Sequence, residues 1–156
     1  MTRPFPFEPE FLVALRELFE ERIAFNKLIG LRIGELTAEV AEGTLEMRPD
    51  LIGHYGHQRL HGGVISAALD AMAGVAIMAA IGARHMAELP ADRMQRFAKL
   101  GTIDLRIDYL RPAVGKQFSA RGEVLRLGSR VATTRMEFRD AAGQLLATGA
   151  SAYIVS

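Results

Sequence analysis

Apolar residues recur at helical spacing near the start of the chain. In residues 8–28, EPEFLVALRELFEERIAFNKL, they fall on one helix face and charged residues fall on the other. The apolar set is Phe11, Leu12, Leu15, Leu18, Phe19 and Ile23, and the charged set is Arg16, Glu17, Glu20 and Glu21. This period predicts a single amphipathic helix that packs on a core through its apolar face.

Two short strands are predicted next, in the stretch GLRIGELTAEVAEGTLEMRPDL at 30–51, with AEG at 41–43 as the turn between them. Residues 49–60, PDLIGHYGHQRL, mix Pro, Gly, His and polar residues, which is typical of a loop. A long apolar helix is then predicted from about His61 to about Ile81, followed by a mixed connection with a short helical turn.

The apolar helix raises the question of a membrane span. Residues 64–83 are twenty in number, and only Ser66, Asp70, Gly74 and Gly82 among them are not apolar. That length could cross a bilayer. A carboxylate at the helix centre is costly in lipid, and no second span accompanies it. The segment is therefore interpreted as the buried core helix of a soluble protein.

The last third of the chain changes to the period of strands. Residues 102–110, TIDLRIDYL, alternate between apolar and polar side chains, which predicts a half-buried antiparallel strand. Three further strands follow with short turns at GS and DAAGQ, so the four should form a meander. The order of elements indicates an α+β fold in which one antiparallel sheet of about six strands wraps around the central helix.

The composition fits one soluble domain. The 156 residues are 49% hydrophobic and 24% charged, with a net charge of +1, so neither nucleic acid nor a membrane surface is indicated as a partner. Cysteine is absent, which excludes disulfides and thiolate chemistry. The N-terminus lacks the pattern of a signal peptide, and the cytoplasm is predicted. Residues 1–29 are interpreted as a helical extension of a single domain whose main part is 30–156.

Asp70 is the first candidate for chemistry, because it interrupts the most apolar segment of the chain. A buried acid must find partners or raise its pKa. A structural role, in which it caps a backbone group or pairs with an arginine, is as compatible with this position as a catalytic one. Hydrogen-bond or charge partners and a raised pKa are also the means by which proteins tune catalytic carboxylates.

Gly62 and Gly63 stand where the helix begins, and they favour the catalytic alternative. Unpaired backbone N–H groups at a helix start can hold an oxyanion, and glycine lets a substrate approach them. A tight entry to the helix would explain the glycines equally well. Gly63 and Asp70 are seven positions apart, or about 10 Å along a helix. One carbonyl group cannot reach both in one chain, so a shared role requires a homodimer with antiparallel helices and an active site at its interface.

Three segments together resemble a known family: HGGVISAALDAMAG, TIDLRIDYLRPA and GSRVATTRMEFRDAAGQLLATGASAYIV. They are similar to the hotdog-fold acyl-CoA thioesterases of the phenylacetyl-CoA thioesterase type, over roughly residues 30–155. The resemblance implies a sheet wrapped around a central helix. It also implies hydrolysis of an acyl-CoA to a free acid and coenzyme A, with the coenzyme A thioester as substrate and no cofactor. No metal site is expected, because the four histidines, at 54, 57, 61 and 85, have no matching carboxylate pattern beside them.

The resemblance implies roles for five residues. Asp70 would be the nucleophile or general base, and Gly63 of the neighbouring subunit would donate its N–H to the thioester carbonyl. His61, together with Gly62, would shape the thioester pocket. Thr102 would position water through its hydroxyl. Whether dimers pair further into a homotetramer is left open.

The chain departs from the family in the loop before His61. Many members have an asparagine six or seven positions earlier, whereas this chain has Tyr55 and His54 there. His54 could supply a donor or a base instead, and His57 is a further candidate. An exposed polar loop without a catalytic role is the alternative.

The remaining expectations concern the rest of the substrate. Arg126 and Arg130 flank a turn between strands and are candidates for the coenzyme A phosphates, and Met72 is a candidate for the acyl pocket. Two other functions are weighed against a thioesterase. One is a hotdog hydratase or dehydratase, which would move a proton beside the carbonyl. The other is a module that binds acyl-CoA without cleaving it.

Overall fold

The computed structural model describes residues 5–156. The helices are α1 (Pro9–Arg16), α2 (Ala24–Ile29), α3 (Gly62–Arg84) and α4 (Pro90–Gln95), with a π-helical turn at Glu17–Arg22 and 3₁₀ turns at Pro49–Leu51, Tyr55–His57 and Arg96–Lys99. The strands are β1 (Arg32–Leu36), β2 (Val40–Glu46), β3 (Ile52–His54), β4 (Arg59–Leu60), β5 (Gly101–Tyr109), β6 (Gln117–Leu127), β7 (Val131–Asp140) and β8 (Leu145–Ile154).

Six of the strands form one antiparallel sheet in the order β1-β2-β6-β7-β8-β5. The concave face of this sheet holds α3, which packs mainly on β6, β2 and β7. The arrangement is the hotdog fold, and the predicted sheet of about six strands around a central helix is confirmed. A separate two-stranded ribbon of β3 and β4 lies in the segment 49–60, which the sequence predicted to be a loop.

Helix α3 begins at Gly62 because His61 caps it, and it runs unbroken to Arg84. Its length and apolar composition would suffice to cross a membrane, but 78% of its most apolar window is buried within the fold. The helix is surrounded because its many alanines let the sheet approach on one side and the N-terminal segment on the other. The interpretation as a core helix is therefore confirmed.

Two glycines bring the sheet onto α3, and they correct one prediction. A Cβ added to Gly122 in β6 would lie 2.5 Å from the carbonyl oxygen of Met72, and one on Gly43 would lie 2.7 Å from the Met72 sulfur. The predicted turn at 41–43 is thus wrong, since these residues lie within β2 and the turn is at 37–39. Gly43 serves close packing rather than chain reversal.

Strand β5 corrects a second prediction. It pairs with β8 and not with β6, so only β6, β7 and β8 form a meander and β5 becomes the edge of the sheet. Its expected apolar face is only partly buried within one chain, because Leu105 and Ile107 pack against the core, whereas Ile103 is 59% and Tyr109 is 54% exposed. An edge strand with exposed apolar side chains offers unpaired backbone groups to another strand.

Residues 5–29, which we call the N-terminal segment, cover the side of α3 that the sheet leaves open. Phe11, Leu15 and Phe19 are buried as predicted. The predicted single helix is nevertheless interrupted, by the π-helical turn and by an extended backbone at Ile23. Local periodicity carries no signal for such a turn, which arises from docking on α3. Of the predicted extension 1–29, residues 1–4 lie outside the described part of the chain.

A fully buried arginine fastens this segment to the rest of the fold. Arg93 of α4 donates a 2.6 Å hydrogen bond to Glu8 and a 3.1 Å bond to the carbonyl of Gly82 at the end of α3. Its guanidinium also lies 4.7 Å from the centre of the Phe11 ring. We call these four residues the Arg93 clasp.

Candidate active site

Asp70 lies in the middle of α3 on the side that faces β5 and β8. Thr102 of β5 donates a hydrogen bond of 3.0 Å to Asp70 Oδ1. The hydroxyl of Tyr153 in β8 donates to the same oxygen, and the main-chain oxygen of Asp70 lies 2.7 Å from that hydroxyl. Within residues 5–156 both hydrogen bonds to the side chain go to Oδ1, so Oδ2 is left without a protein partner.

Tyr153 is a permanent donor in this arrangement. Burial of its ring and hydroxyl raises the pKa of Tyr153 far above its ordinary value of 10, and the negative charge of Asp70 raises this pKa further. The hydroxyl therefore keeps its proton at every pH at which the protein would work. A carboxylate that accepts from two fixed hydroxyls is held in one orientation.

A cavity of about 310 Å³ opens beside Asp70. Its polar wall contains Asp70, Thr102, Tyr153 and Asn26. Its apolar wall comes mainly from the N-terminal segment and from the connection before β5, namely Phe19, Ile23, Phe25, Phe97 and Leu100. The N-terminal segment is thus part of the site and not an appendage to it.

The start of α3 is the part of the candidate site that is predicted to hold the oxyanion. The N–H of Gly63 donates to Nδ1 of His61 at 2.8 Å, so His61 is the N-cap of the helix. Nδ1 accepts this bond only in the tautomer that carries its proton on Nε2, which leaves Nε2–H available as a donor. Tyr109 of β5 donates to the carbonyl oxygen of Gly62 at 2.8 Å and fixes the turn from the other side.

A larger cavity, of about 460 Å³, lies at this helix start. His54, His61 and Gly62 line it, as do two arginines, Arg59 and Arg111. Arg111 is partly engaged by the carbonyl of Leu145. Within the described part of the chain, Nε of Arg59 is buried without a hydrogen-bond partner.

The two cavities share no lining residue. Within one chain, therefore, the residues of the helix start and the carboxylate of Asp70 do not face a common space. This agrees with their separation along an unbroken helix, and it is the geometry from which the sequence predicted a site completed by a second copy.

The other predicted site residues lie apart from both Asp70 and the helix start. Tyr55 and His57 are exposed in the 3₁₀ turn of the 49–60 segment, where the His57 and His54 rings lie 4.6 Å apart. Met72 is completely buried beneath Gly43 and Gly122. Arg126 and Arg130 are exposed near the opposite end of α3, where the turn between β6 and β7 contacts Arg84.

No group of three or more His, Cys, Asp or Glu residues in the range 5–156 is arranged to hold a metal ion. The histidines of the 49–61 segment lack a carboxylate that would complete such a site. The expectation of metal-free chemistry remains a prediction.

Comparison with known proteins decides the family. The model of the Thioesterase superfamily matches residues 57–147, which is more than half of the chain. The chain belongs to the thioesterase superfamily. It is 34% identical over 139 residues to the Escherichia coli protein named medium/long-chain acyl-CoA thioesterase YigI, with 89% of this chain and 90% of that protein covered.

Solved structures of the thioesterase superfamily share the fold. A Shewanella oneidensis protein described as related to the thioesterase superfamily has a TM-score of 0.89 and 37% identity, and the match covers 97% of this chain and 99% of that one. A thioesterase family protein from Silicibacter pomeroyi is similar in fold alone, with a TM-score of 0.72 at 21% identity and coverage of 92% and 96%. The expected thioester hydrolase is confirmed by this membership.

Several residues of the candidate site were not predicted from the sequence. Tyr153 reaches Asp70 because β8 pairs with β5, and an alternating pattern does not show which strands pair. Arg59 and Arg111 line one cavity because β4 lies against the chain that follows β5, where the N–H of Leu60 donates to the carbonyl of Ala113. Asn26 alone carried a signal, since it is a polar residue on the apolar side of a predicted helix.

Proposed function

We propose that this protein hydrolyses acyl-CoA thioesters, with Asp70 as the nucleophile or general base. The observation that carries the proposal is the Asp70 cavity, in which one carboxylate oxygen is held by Thr102 and Tyr153 and the other is left free. Such a carboxylate can accept a proton from water or attack the carbonyl carbon itself.

The start of α3 supplies the opposite charge. Negative charge grows on the carbonyl oxygen as the thioester is attacked, and the N–H groups of Gly62 and Gly63 lie at the positive end of the helix. The N–H of Gly63 already donates to His61. The carbonyl oxygen of the substrate therefore either shares the hydrogen of this N–H or accepts hydrogen bonds from the N–H of Gly62 and from Nε2–H of His61. The C–S bond then breaks, water supplies the oxygen of the released acid, and the thiolate of coenzyme A takes up the proton that this water gives up.

The active site is completed in a homodimer. If the exposed β5 edges of two copies pair antiparallel, their α3 helices also run antiparallel, and Asp70 of one copy approaches the helix start of the other. Ile103 and Tyr109, which one chain leaves exposed, would become buried by this pairing. The cavity at the helix start and the Asp70 cavity would then join into a single site.

The joined cavities divide the substrate by polarity. Arg59 and Arg111 offer cationic donors on the side of the helix start, which suits the phosphates and amides of coenzyme A. The aromatic and aliphatic wall of the Asp70 cavity suits an acyl chain. The similarity to a medium/long-chain acyl-CoA thioesterase supports the same substrate class for this chain.

The decisive experiment is an assay of thiol release with acyl-CoAs of increasing chain length. We expect release by the wild-type protein and a fall of about 10²- to 10⁴-fold in Asp70→Asn, with binding of acyl-CoA retained. Asp92→Asn, an exposed carboxylate on α4, is the matched control and should keep wild-type activity. Tight binding with no release by the wild type would instead establish the binding module. Hydration of an enoyl-CoA without thiol release would establish the hydratase.

The shared site has a test of its own. Asp70→Asn chains and Gly63→Val chains, each inactive alone, are mixed under conditions that exchange subunits. Half of the dimers are then hybrids with one intact site out of two, so about one quarter of wild-type activity should return. If exchange is demonstrated by mass and activity does not recover, the site is not shared between subunits.

A further inference from the structure

The chain contains a single asparagine, and it lies at the Asp70 cavity. Asn26 is on α2, in the N-terminal segment, and only 6% of its surface is exposed. It lines the cavity together with Phe19, Ile23 and Asp70.

The carboxamide of Asn26 has no hydrogen-bond partner within residues 5–156. The main-chain oxygen of Asn26 is used at the end of α2, where it accepts from Gly30 and Leu31. The side-chain atoms that are sealed from solvent and unpartnered in the described chain are the Nε atoms of Arg59, Arg93 and Arg96. The amide atoms of Asn26 are not among these, so they retain contact with open space, and the cavity is the space that Asn26 lines.

A buried amide is rarely left without a partner, because its desolvation is not repaid unless a hydrogen bond replaces the one to water. Leucine has nearly the same size and would complete the apolar wall. The partner of Asn26 is therefore expected inside the cavity, on the substrate or on a water molecule.

The chemistry of the cavity favours water. Oδ1 of Asp70 is held by Thr102 and Tyr153, and Oδ2 is the acceptor that remains. Water can donate one hydrogen to Oδ2 and the other to the amide oxygen of Asn26. Both of its hydrogens are then fixed, and a lone pair of its oxygen is directed away from the two acceptors.

We infer that Asn26 positions the hydrolytic water and that Asp70 acts on this water as a general base. This inference rests on the proposed thioesterase function. Water adds to the carbonyl carbon while its proton passes to Asp70, the C–S bond breaks, and the proton passes from Asp70 to the leaving thiolate. The N-terminal segment thus supplies a positioning residue as well as an apolar wall.

The α2 geometry explains why a residue of this segment reaches the site. The π-helical turn carries Phe19 against Gly74 of α3, where a Cβ on that glycine would lie 3.3 Å from the ring. The extended backbone at Ile23 then restarts the chain as α2, with Ile23 and Asn26 both on the cavity. π-Helical turns are frequent at functional sites.

The test compares Asn26→Leu and Asn26→Asp with the wild type. In Asn26→Leu we expect kcat to fall about 10- to 100-fold with KM changed less than about 3-fold, because the water loses an anchor and the substrate does not. Asn26→Asp restores the acceptor but places a second carboxylate in the cavity. Its activity should exceed that of Asn26→Leu at high pH, and its pH–rate profile should move to higher pH.

Lys27→Leu, an exposed change on the same helix, is the control and should leave kcat unchanged. Thermal unfolding of each variant identifies any loss that comes from misfolding, and in that case Asn26→Asp alone decides the question through its pH profile. A wild-type kcat in Asn26→Leu, or a change confined to chain-length preference, overturns the inference in favour of a role in acyl recognition.

A single turnover in ¹⁸O-water gives an independent readout. General-base catalysis places the label in the acid released in the first turnover. Label retained on Asp70 instead would show an acyl-enzyme, and the inference would fail while the thioesterase function stood. If the wild type releases no thiol from any acyl-CoA, it is the proposed function itself that fails.

Discussion

The carboxylate of Asp70 is oriented by hydroxyl groups and not by a cation. Thr102 and Tyr153 both donate to the same oxygen, from two adjacent strands. Neutral donors fix the direction of a carboxylate without placing a second charge beside it. The other oxygen, Oδ2, keeps no protein partner within residues 5–156.

Tyr153→Phe tests this orientation. The variant retains the ring but loses the hydroxyl, so the carboxylate loses one of the two donors that fix its direction. We expect thiol release to fall about 10-fold at neutral pH. Thr102→Val should act in the same direction. Wild-type rates of thiol release in both variants would contradict the role of the two hydroxyls.

At the scale of the element, α3 owes its exact start to one side chain. His61 accepts from Gly63 and thereby satisfies one of the four free N–H groups at the helix start. The same imidazole borders the cavity that would receive the thioester. His61 therefore caps the helix and is also a candidate for catalysis, and substitutions can separate the two roles.

His61→Ala should lower the free energy of unfolding by about 1 kcal/mol, the usual value of an N-cap. His61→Asn provides a good capping side chain without an imidazole, so it should restore most of that stability. Urea unfolding measures both variants. If His61→Asn regains stability but not thiol release, the imidazole has a part in catalysis beyond the cap.

The close contact between α3 and the sheet depends on the absence of a side chain at Gly122. In Gly122→Ala the new methyl group would meet the backbone of Met72 at 2.5 Å, and a helix backbone cannot move aside as a side chain can. We expect a loss of about 1–3 kcal/mol in the free energy of unfolding. Gly56→Ala is the comparison, since its methyl group would lie 3.4 Å from the side chain of exposed His54. Equal stability of the two variants would show that the sheet can retreat from the helix.

At the scale of the whole molecule, the Arg93 clasp joins the N-terminal segment to α3 and α4. Breaking such a pair leaves a buried charge without its partner, which is far more costly than the loss of a surface pair. The hydrogen bond from Arg93 lowers the pKa of Glu8 below its ordinary value of 4.5. The clasp therefore makes the stability of the fold depend on pH.

The direction of this dependence follows from the lowered pKa of Glu8. The folded state binds this proton less readily than the unfolded state does, so the stabilisation is complete above pH 4.5 and is lost as the pH falls through the lowered pKa. Glu8→Gln should be less stable than the wild type at pH 7, and the difference should shrink in acid. Urea midpoints at pH 7 and near pH 3 measure it. A difference that stays constant would show that Glu8 acts by packing and not by charge.

Patterns within single elements predicted much of this fold. The apolar run predicted α3 and its buried state, because burial of a local face leaves a local signature. Alternation predicted β5, and the short turns after it predicted β6, β7 and β8. The pairing of β5 with β8 was missed, since strand order is decided by packing on α3. The glycine at 43 was mistaken for a turn residue, because a turn and a close approach both call for the absence of a Cβ.

In the candidate site, too, the predicted residues are those that a local pattern or a resemblance indicated. Asp70 was found because a charge in an apolar run is visible locally, and Thr102 because a resemblance placed it. Tyr153 alternates with its neighbours like an ordinary strand residue, and Arg59 lies in a segment that was predicted to be a loop. Only the folded chain therefore shows what lies beside them. The cytoplasmic location, the homodimer and its further pairing into a homotetramer remain predictions.

The clasp also bears on how the protein is to be produced. Residues 30–156 alone would leave Gly82 without Phe11 against it and Gly74 without Phe19, so a long apolar strip of α3 would face water. Shortening the chain to the family core would thus yield aggregates rather than a minimal enzyme. An affinity tag at the front needs a spacer long enough to leave Glu8 seated on Arg93.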